Sequence, residues 1–279
     1  MTIKNQYIEF KRLILNIKIY SSLYLNYKKN RNSFTERYYK LLNLIRPFKS
    51  EHTLVRIGPD SDGGYLAPSN VGDISLLISP GVSSKFQFDA QFCQLYNCKA
   101  ILVDGSVSLS NLPDNLIFIK KFLSNLSTDS QVTLNGLINK YSNNSSDLAL
   151  QMDIEGGEWD ILYHLDKDSL SRFKILIIEL HHLSNIFSNK HSKQLDVLEK
   201  IMTSHAPVHI HINNNYSLKN INGCYIPEDI EVTYIRRDIE SSNLCEPPLF
   251  PNIMDRPCVE NLPEVNIPEE WKLYWNSAL

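Results

Sequence analysis

The sequence is poor in glycine and has no cysteine pair at metal-binding spacing. It has 10 glycines among 279 residues, and no G-x-G occurs after its first buried strand. Its five cysteines form no C-x-x-C pair, which predicts reduced thiols in a cytosolic protein. No run reaches the roughly 18 apolar residues that span a bilayer, and the apolar stretch after Lys11 and Arg12 is broken by Asn16 and Lys18. We therefore expect neither a membrane span nor a secretory signal.

Basic residues are concentrated in the first 50 residues. The net charge is −3, but residues 1–50 carry +9 and the remainder carries −12. The acidic body lacks a basic stripe with interleaved aromatics, so nucleic acid is not an expected partner. Helical spacing predicts a basic amphipathic helix at the N-terminus, with an apolar face of Ile3, Tyr7, Phe10, Ile14 and Ile17. We expect residues 1–50 to form a helical arm that docks on its own domain. The alternative is a protein or membrane contact, which would place a cytoplasmic protein at the inner face of the membrane.

From residue 51 to 243 the pattern is that of an α/β domain. Hydrophobic residues make up 43% of the chain, enough for a sizeable core. Short apolar runs alternate with helical segments, which predicts a Rossmann-like, doubly wound, mostly parallel sheet of seven strands with an antiparallel edge strand. The predicted strands are 74–79, 99–103, 116–119, 148–152, 175–178, 208–212 and 230–235, and the predicted helices are 35–48, 86–96, 133–141, 158–165 and 193–205. Residues 244–279 hold six of the thirteen prolines and are expected to wrap the domain, anchored by Trp271, Tyr274 and Trp275.

Polar side chains follow three of the predicted strands. In open α/β sheets, ligands bind beyond the carboxyl ends of the strands, so these residues are the candidates for a site. The first group is Asp153, Glu155 and Glu158; the second is Glu179, His181 and His182; the third is His209, His211 and Asn213. His181 and His182 should point to different sides, whereas His209 and His211 share one side of their strand.

Asp153 is the strongest of these candidates because it lies at the strand tip itself. Glu155 and Glu158 could instead be helix-start residues, which the helix dipole favours. Clustered carboxylates repel, so a cation, a bound proton or a basic side chain should offset them. Oxygen ligands suit a hard divalent ion such as Mg²⁺ or Mn²⁺, and Asp153 with Glu179 would hold it.

Two further segments, each at the end of a predicted strand, have residues typical of turns. Ser79-Pro80-Gly81-Val82-Ser83 links the first strand of the sheet to a helix and could admit a cofactor, or could be an ordinary turn. Asp104 ends the second strand, where an acidic residue takes ribose hydroxyls or simply caps a turn.

These residues together resemble the FkbM-type branch of class I S-adenosylmethionine-dependent methyltransferases, in particular the bacterial methyltransferase-like proteins of surface-glycan loci. The resemblance extends from about residue 54 to 238. It is carried by Arg56-Ile-Gly…Asp62-Gly-Gly-Tyr65, Ser79-Pro-Gly-Val-Ser…Phe88-Asp89, Leu102-Val-Asp104, Gln151-Met-Asp-Ile-Glu-Gly-Gly-Glu-Trp159, Ile178-Glu-Leu-His181, His209-Ile-His211 through Asn214, and Ile230-Glu-Val-Thr-Tyr-Ile235. The first loop departs from the class, since it keeps only Gly81.

The resemblance implies methyl transfer from S-adenosylmethionine to a hydroxyl oxygen of a sugar or surface-glycan component. It implies that Gly81 and its neighbours line the methionine part of the cofactor and that Asp104 holds the ribose. The cofactor site would then comprise Asp62, Tyr65, Gly81, Ser83, Asp89 and Asp104. The catalytic residues beside the acceptor would be Asp153, Glu179 and His181, with Glu155, His209, His211 and Asn213 as substrate contacts.

Methyl transfer to a sugar hydroxyl needs alignment and removal of a proton. A divalent ion on Asp153 and Glu179 could polarise the hydroxyl, and His181 or His211 could take the proton. Two other functions fit the same residues. One is a non-catalytic module whose basic arm scaffolds a glycan-assembly complex. The other is a metal-dependent hydrolase that uses His209 and His211 with Asp153.

Overall fold

The chain folds into a central sheet with helices on both faces and three small accessory sheets. The computed structural model describes residues 34–188, 192–240, 248 and 250–277. The α-helices of this part are α1 Phe34–Leu44, α2 Gln87–Tyr96, α3 Leu134–Tyr141, α4 Glu158–His164, α5 Lys167–Ser171, α6 Lys193–Met202 and α7 Glu269–Ser277, with a 3-10 helix at Leu183–Phe187. The strands are β1 Leu54–Ile57, β2 Tyr65–Pro68, β3 Leu76–Pro80, β4 Lys99–Val103, β5 Leu116–Ile119, β6 Phe122–Leu123, β7 Gln131–Val132, β8 Leu148–Met152, β9 Phe173–Leu180, β10 His205–Ile212, β11 Lys219–Ile221, β12 Cys224–Ile226 and β13 Ile230–Arg236.

The central sheet has seven strands in the order β10-β13-β9-β8-β3-β4-β5. The ladders joining β9, β8, β3, β4 and β5 are parallel, and β13 runs antiparallel to both of its neighbours. The chain winds outward from β3 in one direction through β4 and β5, then returns to the other side of β3 with β8. The predicted doubly wound sheet of seven strands is confirmed. Its topological switch point lies between β3 and β8, where ligands of such sheets bind.

The antiparallel strand lies inside the sheet, not at its edge as the sequence pattern predicts. β13 is inserted between β9 and β10, and six of its seven residues are buried. The alternation in this segment therefore does not mark a solvent face. It marks one face packed in the apolar core and one face that carries Glu231 and Thr233.

The two faces of the sheet differ near the carboxyl ends of the strands. One face is apolar along its full length and packs against α1, α3, α4 and α6. The other face is apolar only in the half away from the carboxyl ends of the strands. There Leu77, Ala149, Ile177 and Val208 pack under α2 and the β1–β2 hairpin. Beyond those residues the same face is polar, and its buried members are Ser79, Gln151, Glu179, His209, His211, Glu231 and Thr233. The candidate site lies on this polar half.

Local signals explain most of the helix boundaries. Thr133 Oγ1 accepts from the Gly136 N–H at 3.0 Å and starts α3, while Ser192 Oγ accepts from the Leu195 N–H and starts α6. The helix predicted to run to residue 205 ends at Met202, because His205 is already the first residue of β10. The Nε2–H of His205 donates a buried hydrogen bond to the Phe173 carbonyl, 2.7 Å away.

The C-terminal helix and α1 close one end of the domain together. Trp271 and Trp275 are buried, and Trp275 Nε1 donates to the Leu42 carbonyl at 2.8 Å. The predicted N-terminal amphipathic helix, with Ile3 to Ile17 on its apolar face, lies outside the described residues. Among the described helices, none has the length and apolarity needed to cross a bilayer. The four cysteines in the described ranges are free thiols.

Candidate active site

The turn between β8 and α4 holds the first group of predicted residues. Glu155 and Gly156 both have positive φ, 56° and 101°, so the chain reverses sharply after Asp153. The side chain of Glu158 folds back over this turn and is fully buried. Its Oε1 accepts from the Ile154 and Gly156 N–H groups, each at 3.2 Å. Glu158 therefore shapes the turn from within, as a helix-start carboxylate can.

His181 is the centre of the site. Its Nδ1 lies 2.6 Å from Glu158 Oε1, a hydrogen bond in which the imidazole N–H donates. Its Nε2 faces three further carboxylates, at 3.7 Å from Asp153 Oδ1, 3.6 Å from Glu155 Oε2 and 3.7 Å from Glu179 Oε1. Three predicted catalytic residues, from the tips of adjacent strands β8 and β9, therefore meet at one imidazole. His182, in contrast, has a positive φ of 55° and is exposed, so one histidine of the pair faces the site, as predicted.

Protons offset the crowded negative charge. Burial by itself lowers the pKa of His181, but the hydrogen bond and charge of Glu158, with the charges of Glu179 and Asp153, raise it to about 9. Burial raises the pKa of Asp153 to about 7; His181 opposes this rise, and Glu155 and Glu158 add to it. The pKa of Glu179 is also raised well above its usual value, by burial and then by Asp153. At neutral pH the site therefore holds an imidazolium, beside carboxyl groups that lose their protons less readily than usual.

A cavity of about 480 Å³ opens beside this cluster at the switch point of the sheet. Its volume is within the roughly 300–1,000 Å³ typical of small-molecule sites. The walls come from the loop between β1 and β2, the β3–α2 segment, the tip of β8 and a short stretch of the C-terminal tail. From the predicted cofactor residues the lining includes Asp62, Tyr65, Gly81, Ser83 and Asp89.

Arg56 holds the loop that forms one wall. Its guanidinium donates to the carbonyls of Pro59 at 3.0 Å and Ser61 at 2.9 Å. This places Asp62 on the cavity, where burial and the charge of Glu231 raise its pKa. Tyr65, at the start of β2, stacks edge-on against Phe88 with ring centroids 5.4 Å apart. The Asp62–Tyr65 motif is thus a structured rim of the cavity.

The tip of β3 contributes Gly81 and Asp89. Gly81 has a φ of +89°, and a Cβ there would lie 1.5 Å from the Asp153 backbone oxygen. The glycine is therefore required by the close approach of β3 and β8, whatever the cavity holds. Asp89 is 3% exposed, and its Oδ1 has no hydrogen-bond partner within the described structure. Burial raises the pKa of Asp89 to about 6, against the lowering effect of Ser79.

His209 and His211 are bound to carboxylates of the tail and of β13. His209 Nε2 lies 2.9 Å from Asp255 Oδ1. His211 Nδ1 lies 2.9 Å from Glu231 Oε2, and its Nε2 lies 2.5 Å from Glu264 Oε1. Neither imidazole lines the cavity. The structure thus uses the predicted substrate-binding pair to anchor the tail, and it leaves no free nitrogen on His211 for the proposed proton transfer.

Asn213 contacts the candidate site, whereas its neighbour Asn214 contacts the tail. Asn213 Nδ2 donates to Glu179 Oε1 at 2.7 Å and so orients a predicted catalytic carboxylate. Asn214 Oδ1 accepts from the Val259 N–H at 2.8 Å. Its amide N–H group also donates to tail carbonyls, at 3.0 Å for Val259 and 3.1 Å for Leu262. No role for Asn214 is predicted from the sequence, although its position directly after a strand is a usable signal.

Asp104 and Glu155 are predicted site residues that lie outside the centre of the site. Asp104 does not line the cavity, and its Oδ1 accepts from the Ser106 N–H at 2.6 Å and the Val107 N–H at 3.3 Å. This is the turn-capping role that the sequence left open as its alternative. Glu155 has a side chain 89% exposed at the edge of the cluster. Both assignments, ribose for Asp104 and substrate for Glu155, stay predictions.

Residues 101–206 match the family profile described as "Methyltransferase FkbM domain". Over these 106 of its 279 residues the chain is similar to an FkbM methyltransferase domain. The protein is accordingly a methyltransferase of the S-adenosylmethionine-dependent class, and S-adenosylmethionine is the usual cofactor of this family. No curated protein sequence matches this chain.

Some solved structures are similar to the chain at low sequence identity. The fibrillarin pre-rRNA processing protein of Methanococcus jannaschii is 11% identical, with 67% of this chain and 83% of that chain covered and a TM-score of 0.33. The precorrin-6y C5,15-methyltransferase of Geobacter metallireducens GS-15 is 9% identical, with 61% and 84% covered and a TM-score of 0.34. These similarities are too distant to transfer a substrate.

The cavity is built mostly outside the matched segment. Only Gln151 and Asp153, of the residues that line it, fall within 101–206. The rest come from the β1–β2 loop, the β3–α2 segment and the tail residues Cys258, Val259, Glu260 and Asn261. These tail residues are not predictable from the sequence, because no spacing rule relates a proline-rich tail to strands more than 40 residues earlier.

Proposed function

We propose that this protein transfers a methyl group from S-adenosylmethionine to a hydroxyl of a sugar or surface-glycan component. The observation that carries the proposal is the position of Asp153. It lies at the switch point of a methyltransferase sheet, lines the cavity and has a pKa of about 7. A general base is most effective when its pKa lies near the working pH.

Asp89 is the residue that supports a cofactor in the cavity. Its buried, unpartnered Oδ1 would accept from the ammonium group of the methionine part, and the backbone near Gly81 and Ser83 would line the rest. When bound, the cofactor supplies an electrophilic methyl group on a positively charged sulfur. The carboxylates of Asp62, Asp89 and Asp153 make the cavity suitable for a cationic ligand.

Asp153 would take the proton of the acceptor hydroxyl. His181 is held as an imidazolium by Glu158, so it orients the carboxylate and does not itself act as a base. Glu179, fixed by Asn213, completes the wall behind them. This assignment moves the proton-accepting role from His181 or His211 to Asp153.

The predicted divalent ion would bind at the same residues. Ligand atoms of Asp153, Glu179 and His181 lie within 4.8 Å of one another. The Nδ1–H of His181 is bonded to Glu158, so Nε2 is the nitrogen that would bind the ion, which would displace the Nε2 proton of the imidazolium. Mg²⁺ or Mn²⁺ there would polarise the acceptor hydroxyl.

A sugar acceptor is supported by the polar rim of the cavity. Ser61, Ser83, Glu260 and Asn261 all line it and offer donors and acceptors to several hydroxyl groups. A polyhydroxylated acceptor would suit such a rim better than an apolar one, because its hydroxyl groups can both donate and accept hydrogen bonds.

Titration calorimetry with S-adenosylmethionine and S-adenosylhomocysteine, with and without Mg²⁺ or Mn²⁺, tests the cofactor site. We expect micromolar binding that Asp89→Asn weakens at least tenfold. The matched control is Asp129→Asn, a change at an exposed aspartate away from the cavity. Absence of binding under every condition would overturn the proposal.

The acceptor class is tested with methyl-labelled S-adenosylmethionine and a panel of free and nucleotide-activated sugars. We expect label to transfer to a sugar oxygen, with the activity compared before and after chelation by EDTA. Loss of activity on chelation, restored by Mg²⁺ or Mn²⁺, would support the divalent ion; full activity in EDTA would remove it. Transfer to amines or nucleic acid but to no sugar would contradict the acceptor class.

A further inference from the structure

We propose that His211, Glu231 and Cys258 form a zinc site that fastens the C-terminal tail to the sheet. The site lies beside the methyl-transfer cluster and uses none of its residues. Its ligand set is an imidazole, a carboxylate and a thiol, drawn from β10, β13 and the tail. The proposal does not rest on the proposed function.

The strands place the first two ligands together. His211 and Glu231 are direct partners in the antiparallel ladder of β10 and β13. Side chains of such partners stand on the same face with Cβ atoms about 4.5–5.5 Å apart, a span that one ion can bridge. His211 is 5% exposed and Glu231 is 6% exposed. Two metal-binding side chains are thus fixed side by side in a buried place.

The tail delivers the third ligand. Cys258 Sγ lies 3.4 Å from Glu231 Oε1, and His211 Nδ1 lies 2.9 Å from Glu231 Oε2. One ligand atom of each residue falls within 4.8 Å of the others. Tetrahedral zinc, with bonds of about 2.0–2.3 Å, needs its ligand atoms roughly 3.3–3.6 Å apart. The three ligand atoms are therefore already close to the spacing that zinc requires.

Glu264 supplies the support that a ligating histidine requires. Its Oε1 lies 2.5 Å from Nε2 of His211, on the side of the ring away from Glu231. Histidine ligands usually donate their second N–H to a carboxylate, which fixes the ring and raises its basicity. Here the orienting carboxylate and the thiol come from the same tail, six residues apart, so that one tail segment contacts both sides of the imidazole.

The ligand types select the metal. A thiolate and an imidazole bind zinc well, whereas Mg²⁺ and Ca²⁺ prefer sites made of oxygen alone. Glu231 also faces Glu179 across the β13–β9 ladder, so carboxylates outnumber imidazoles along this row. When zinc binds, the Cys258 thiol and the His211 Nδ1 each release a proton to solvent. The positive charge of the ion takes the place of the two protons. The fourth position would take water from the cavity, which Cys258 lines.

The experiment uses the full-length protein and zinc alone. After treatment with a chelator, the protein is titrated with Zn²⁺ in competition with a chromogenic chelator, and the retained metal is measured after desalting. We expect one zinc per chain, with affinity reduced at least 100-fold by Cys258→Ser. Glu264→Gln, which alters only the orienting group, should weaken binding by about 10–100-fold. Co²⁺ should give a thiolate charge-transfer band that Cys258→Ser abolishes.

Two controls separate this site from its surroundings. Cys224→Ser changes another thiol, buried elsewhere in the fold, and should bind zinc as the parent does. Asp153→Asn changes the neighbouring cluster and should also leave zinc binding intact, and circular dichroism confirms that each variant is folded. The proposal is wrong if no zinc is retained, if Cys258→Ser retains it, or if Asp153→Asn is the change that loses it. Binding of S-adenosylhomocysteine, measured on the same variants, reports separately on the proposed function.

Discussion

Two clusters at the strand tips of this protein have the same residue types but different roles. At the tips of β8 and β9, His181 lies among carboxylates and faces a cavity. At the tip of β10, His209 and His211 also lie against carboxylates, but those belong largely to the tail that covers them. Both clusters are buried and ion-paired. What separates them is the chain segment lying over each tip, so histidines and carboxylates at a strand end do not by themselves define an active site.

Removing the Asp153 carboxylate should give the largest change in activity. We expect Asp153→Asn to lower kcat about 10²–10⁴-fold, the usual contribution of a positioned base. Binding of S-adenosylhomocysteine should change far less, because Asn keeps the size of the side chain. Single-turnover kinetics measures the loss. A kcat within threefold of the parent would show that the β8 tip is structural, as the β10 tip is.

Removing a contact between the tail and the residues after β10 should lower the free energy of unfolding. Asn214→Ala removes a buried amide that is bonded to the backbone of Val259 and Leu262. We expect the free energy of unfolding to fall by about 2 kcal/mol, since backbone groups lose their partners. Chemical denaturation measures it, and limited proteolysis should cut the tail sooner. Asn266→Ala, at an exposed tail position, is the matched control. Equal stability of the two variants would contradict the anchoring role.

The pH dependence should distinguish the two tips through His181. Activity should rise as Asp153 loses its proton near pH 7 and fall as His181 loses its own near pH 9. Because the folded-state pKa of His181 is raised, its contribution to stability is complete below about pH 6.5 and is lost as the pH rises through 9. Glu158→Gln should lower the pKa of His181 and move the alkaline limb to lower pH. An unmoved alkaline limb would assign it to another group.

The smallest effect is expected at Glu155. Its side chain is 89% exposed, so solvent screens its interaction with His181. Glu155→Gln should change kcat and the acceptor KM by less than about threefold, in line with an exposed ion pair. Steady-state kinetics at two salt concentrations checks this. A tenfold rise in the acceptor KM alone would instead confirm the predicted substrate contact.

The sequence was informative wherever a local pattern carried the signal. Apolar runs located β4, β5 and β8 to the residue, and Thr133 marked the start of α3. It was misleading for β13, whose alternation is the same for an edge strand and for an inserted strand with a polar site on one face. It also could not distinguish His181 from His211, because both follow strands and both have carboxylates within reach.

The sequence by itself determined the parallel α/β architecture and the strand tips at which charged residues gather, because strand and helix periodicities are local properties of the chain. Only the tertiary structure decided which tip stays open. That depends on where the tail crosses the sheet, and its position is set by contacts such as His209 with Asp255, 46 residues apart. Such contacts leave no periodic trace in the sequence. Contacts between distant parts of the chain also bring Cys258 of the tail to His211 and Glu231. In the same way, Asp89 faces a cavity whose other walls come from distant segments.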